Sequence, residues 1–173
     1  MKKIAPPAAI EYAYYYQTYL DKVAKDIHVL DELKKNAKNL VQLYKSLDKE
    51  KLLYRYELGK WSMKDIMMHL IDVERVFTYR AMRFARKDKE PLPFFDENEF
   101  AKNAQADKIS TSYLLKEYQA TRNATLTFFN NLNAEQLKRQ GMASRASTSV
   151  RACIWIIYAH ELHHQKMIEK HYL

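Results

Sequence analysis

The sequence has few turn formers, with two glycines and four prolines in 173 residues. A many-stranded β fold needs punctuation every ~8–12 residues, so this scarcity argues for long helices joined by few loops. One cysteine, Cys153, excludes an intrachain disulfide and suits a reducing compartment. No stretch approaches the roughly 18 apolar residues of a membrane span. Pro6, Pro7 and Glu11 interrupt the apolar core that a secretion signal would require. The expectation is a single cytoplasmic domain over residues 1–173, long enough to bury a real core and not associated with membranes.

What is present fits helices. Hydrophobic residues make up 47% of the chain, and Lys plus Arg exceed Asp plus Glu by 29 to 21, a formal charge of +8. The basic residues are spread along the chain, with local excesses only at Lys34–Lys38 and Arg80–Lys89. No helix-turn-helix, zinc-finger or basic-region pattern accompanies them. They read as solvated helix faces, and nucleic acid is not an expected partner.

The Tyr-rich start (Tyr12, Tyr14, Tyr15, Tyr16, Tyr19) reads as a short packed helix. A first long helix follows over about 27–47, with an apolar face of Ile27, Leu30, Leu33, Leu40, Leu43, Tyr44 and Leu47. Ser62 and Asp65 form a capping box that opens a second, flanked by the staple pair Trp61 and Ile66, and this helix should run to about Arg86. Residues 87–109 break the periodicity and suit a crossover. A third helix is expected over about 110–132, a short one ending at Gly141, and a last one from near Thr148. The predicted architecture is an all-α four-helix bundle with a long crossover between the second and third long helices.

Three of the six histidines fall in "HELHH", residues 160–164. At 100° per residue, His160 and His164 share one stripe with Cys153, Ile157 and Met167, and an i,i+4 pair can share one cation. His69 lies on the inward stripe of the second long helix, where a bundle could bring it opposite the pair. A single histidine on an apolar stripe is more commonly a hydrogen-bonded core residue than a ligand. Two imidazoles desolvated side by side are different, because a metal is their simplest common partner. The letters also match the H-E-x-x-H of zinc proteases, but only nine residues follow His164 and they offer just His171 on the same helix. That leaves no downstream third ligand of the protease kind.

"GKWSMKDIMMHLID" and "AHELHHQKMIEKHYL" together resemble the DinB/YfiT-like family of metal-dependent enzymes. The resemblance implies an up-down-down-up four-helix bundle and a divalent metal, zinc or nickel as isolated, held by His69, His160 and His164. It also implies a small-molecule substrate. Some members transfer or use a low-molecular-weight thiol (bacillithiol, mycothiol or glutathione), and many others are described only as hydrolases. The function it favours is a thiol S-transferase, with a metal-dependent hydrolase as the alternative and a non-enzymatic metal-binding bundle as a further one. Two positions depart from the pattern: Ala159 before the histidine cluster and Phe94 before "FDE" stand where glycine is expected. The second leaves the crossover's path, and Asp96 with it, open.

Several residues carry two readings. Asp72, one turn after His69, could orient a ligand or act as a base, or be a surface carboxylate. Glu161 could reach the metal site or pair with an arginine of a neighbouring helix, and His163 is expected to be structural or to support a ligand. Arg80 could anchor an anionic substrate or pair with an acid such as Glu117, the pair being preferred. Asp96 is a pocket candidate on the crossover. Trp61, Met67, Met68 and Phe77 are assigned to packing, and a homodimer is expected.

Overall fold

The computed structural model describes residues 1–173. Its helices are α1 (Gln17–Leu20), α2 (Val29–Ser46), α3 (Lys49–Leu53), α4 (Met63–Ala85), α5 (Glu97–Ala104), α6 (Thr111–Asn131), α7 (Ala134–Lys138) and α8 (Val150–His171), with a hairpin of β1 (Gln140–Ala143) and β2 (Ala146–Ser149) before α8. No helix is long and apolar enough to cross a membrane.

Four long helices, α2, α4, α6 and α8, form the bundle, and side-chain pairs fix their directions. Along α4 and α6 the partners rise together, with Lys64 on Asp107 just before α6, Arg75 on Glu117 and Thr78 on Thr125. These helices are parallel, which is why a crossover must separate them. Between α4 and α8 the order reverses, with Trp61 against Tyr172 and His69 against His160. Tyr44 near the end of α2 donates to the Met63 carbonyl at the start of α4, so α2 also runs against α4. The result is the expected up-down-down-up order.

Polar caps fix where these helices begin. Ser62 and Asp65 form the predicted capping box on α4, and Ser110 and Ser149 accept backbone N–H bonds at the starts of α6 and α8. Such caps contribute about 1 kcal/mol each.

The apolar core is split into two clusters. One gathers Phe77, Phe84, Phe129 and Trp155, and the other gathers Tyr44, Met63, Met67 and Tyr118. On α8 the interval between them holds His160, Glu161, His163 and His164; on α4 it is flanked by His69 and Glu74; on α6 it holds Arg122. A polar layer therefore crosses the bundle between two hydrophobic ends.

Three local expectations are corrected. The Tyr-rich start is two 3-10 turns followed by the one-turn α1, because Tyr14 and Tyr15 point to solvent and cannot supply a helical apolar stripe. The 87–109 crossover contains α5 and a further 3-10 turn rather than only irregular chain. The short helix ends at Lys138, and Gly141 lies in β1, where a Cβ would drive into the buried ring of Phe84. The crossover also joins the hairpin: Leu92 donates to Met142 and accepts from Ser144 through backbone bonds of 2.9 and 3.1 Å.

Candidate metal centre

The histidines converge as the spacing predicted. His160 Nε2 lies 3.0 Å from His69 Nε2 and 3.1 Å from His164 Nε2. One ligand atom from each of the three falls within 4.8 Å of the others. His69 is buried on α4, whereas His160 and His164 on α8 are half-buried and open to a cavity. Burial lowers the His69 imidazole to about 4 and holds His160 and His164 well below their ordinary value, with the neighbouring histidines adding to the effect. All three are neutral ligands near neutral pH.

The donor set fits a divalent ion. A neutral His160 Nε2 offers either one hydrogen or one lone pair, so two histidines approaching it must compete for a single partner. A cation serves all three at once. The spacings approach the ~3.3 Å that two nitrogens adopt on a tetrahedral ion with bonds of ~2.0–2.1 Å. No carboxylate joins the group, so an ion there would keep its full double charge and an open position.

Aromatic side chains wall the site. The Trp61 ring lies 4.5 Å from His69 and 6.2 Å from His164, and the Tyr19 ring packs edge-on to His163 at 5.0 Å. The adjoining cavity measures about 520 Å³ and extends past Phe77 to Arg80, Phe95 and Ser144. That size suits a small molecule rather than water alone.

The remaining candidates scatter. Glu161, adjacent to His160, turns into the core, where it accepts from Tyr118 at 2.6 Å and from Arg122. Arg122 also pairs with Glu74 at 2.8–3.0 Å, so one guanidinium bridges both histidine-bearing helices. Burial alone would lower the Arg122 pKa; Glu161 and Glu74 instead hold it well above its ordinary value. The arginine-pairing alternative for Glu161 matches this arrangement. Asp72 sits beside Arg75 and Glu117, outside the cavity wall, with its carboxyl pushed up by burial. His163 lines the cavity and is neutral, its pKa lowered by burial and then by Lys22.

Asp96 caps α5, accepting from the Asn98 and Glu99 amides, while its neighbours Phe94, Phe95 and Glu97 reach the cavity. The preferred Arg80–Glu117 pair does not form. Glu117 binds Arg75 instead, because position 75 faces α6 and position 80 faces the crossover. Trp61 and Phe77, assigned to packing, line the cavity as well. Tyr19 was read only as part of the Tyr-rich start, and Phe95 and Ser144 were not singled out, because nothing local marks residues brought in from distant segments.

Residues 32–168 match the family model of the DinB superfamily. The chain belongs to the DinB superfamily. A solved structure with the same architecture is YfiT from Bacillus subtilis, described as a probable metal-dependent hydrolase with an unusual four-helix bundle topology. The two share 16% identity at a TM-score of 0.69, over 98% of this chain and 94% of that one. No curated protein matches this DinB chain by sequence. The likeness to YfiT establishes the fold, and the chemistry of this DinB protein must be argued from its own residues.

Proposed function

We propose that this DinB protein is a divalent-metal enzyme that activates a low-molecular-weight thiol at His69, His160 and His164 for transfer to an electrophile. The observation that carries the reading is the convergence of three neutral imidazole nitrogens beside a cavity far larger than a water molecule. A bound divalent ion would lower the pKa of a coordinated thiol or water and leave it anionic at neutral pH. Zinc suits a soft thiolate.

Two features favour thiol over water. The acid next to the histidines in sequence, Glu161, is no base for them, since Arg122 and Tyr118 engage it, and the carboxylate that reaches the cavity is Glu97 of the crossover. A thiol, with a free pKa near ~8.5, ionises beside a cation without a dedicated base. The thiol must also come from outside, because Cys153 is fully buried and its pKa is raised by that burial to about 12. Hydrolysis is the second reading, favoured by His163, a neutral imidazole on the cavity wall able to accept a proton from water.

The test supplies zinc-loaded protein with glutathione, bacillithiol or mycothiol and an alkylating electrophile. The reading expects conjugate formation faster than the solution rate, abolished by His69→Ala and tolerant of His163→Gln. Ester or amide cleavage without thiol, lost in His163→Gln, would replace it with the hydrolase.

A further inference from the structure

Arg80 carries a permanent charge on the inward face of α4. It is buried at 4% exposure, on the same cavity as the histidines, and forms no ion pair, the Glu97 carboxylate on that cavity included. Nη2 donates to the Pro93 carbonyl at 3.0 Å and to Ser144 Oγ at 2.8 Å. Nε and Nη1 make no protein hydrogen bond within 3.5 Å, although the Tyr16 hydroxyl approaches the guanidinium. The sealed side-chain atoms without partners are elsewhere, on Asn36 and Arg139, so these Arg80 nitrogens open onto the cavity.

An arginine cannot shed its charge, and burying it unpaired costs several kcal/mol. The rings of Phe77 and Phe95, 5.2 and 5.8 Å from the guanidinium, offset only part of that. Tying the crossover to the hairpin uses Nη2 alone and leaves the hydrogens of Nε and Nη1 for another acceptor. Both two-bond edges of a guanidinium include Nη2, so a carboxylate here would accept single charge-assisted hydrogen bonds from Nε or Nη1. Ser144, which holds the guanidinium, has φ +51°, and Arg145 after it has φ +66°, a two-residue hairpin turn normally given to asparagine and glycine. Left-handed non-glycine backbone of this kind concentrates at ligand-gripping sites.

We infer that Arg80 binds the remote carboxylate of an elongated small molecule whose other end reaches the three histidines. Eleven residues of helix separate Arg80 from His69, about 16 Å of rise, and the arginine leans back toward the helix start, leaving roughly 10–12 Å to span. Inorganic anions are too short to touch both ends. The carboxylate selects the ligand, and the histidine end performs the chemistry. Only the second end rests on the metal reading above.

The test uses 8-mercaptooctanoate and the neutral 8-mercaptooctan-1-ol, whose extended chains match that span, titrated calorimetrically into metal-free and zinc-loaded wild type. The acid should bind about tenfold or more tighter than the alcohol in both states. Zinc should tighten both ligands by a similar factor, and Arg80→Met should erase the difference between them. Equal affinity for acid and alcohol in wild type overturns the Arg80 site, whatever zinc does, and requires no variant to fold. A preference that survives in folded Arg80→Met overturns it too. A preserved acid preference with no zinc effect upholds the Arg80 site and removes the metal reading instead.

Discussion

Single side chains decide the chemistry, and His69 shows how. Its ring is buried without a charged partner, so burial depresses its pKa from 6.5 to about 4. In metal-free protein the unfolded chain binds a proton that the folded chain refuses between those values. Stability should therefore be full above pH 6.5 and fall as pH drops toward 4, by on the order of 3 kcal/mol from this residue. Urea denaturation of the metal-free protein across that range should show the loss, and His69→Phe should reduce it while the part from His160 and His164 remains. Glu161 gives a second residue-scale prediction. Because its carboxylate faces Arg122 and not the histidines, Glu161→Gln should retain metal stoichiometry while losing stability. A variant that binds no metal yet melts normally would contradict this placement.

Helices and the hairpin carry the geometry from residue to site. Arg122 on α6 joins Glu74 on α4 to Glu161 on α8, and so locks the register of the two helices that present the histidines. Removing it strands two buried carboxylates, so Arg122→Met should cost about 3–5 kcal/mol by urea denaturation. The hairpin depends on close contact with α4. Gly141→Ala would press a methyl group into the Phe84 ring, with an expected cost of about 1–3 kcal/mol in the same measurement.

The sequence displayed these elements unevenly. The capping box at Ser62 and Asp65 and the i,i+4 histidines are local patterns, and both were legible. The hairpin was not, because Ser144-Arg145 lacks the Asn-Gly chemistry that marks such turns. Partner choice was the hardest to read. Arg75 and Arg80 differ by five positions on one helix, and only the packed bundle decides which of them meets Glu117.

At the scale of the whole molecule, the bundle sets one polar layer between two apolar ends. Two apolar clusters hold the ends, and the polar layer between them holds both the Arg122 network and the histidine trio. The fold class was readable from the shortage of glycine and proline, while the depth of Arg122 was not, since nothing in its neighbours marks it as buried. The expected homodimer belongs to this scale as well. Ile10 and Tyr14 are 84% and 86% exposed, and they offer apolar surface for a second copy. Sedimentation should give twice the chain mass at micromolar concentration; a monomer mass would remove that expectation.

If three histidines from two antiparallel helices hold one divalent ion, the metal content of the protein will reveal it. Plasma mass spectrometry of untagged wild type, His69→Ala and His160→Ala, after reconstitution with zinc, should find about one ion per chain in the wild type and none in either variant. Wild type that remains metal-free while folded, or variants that keep the ion, would contradict it.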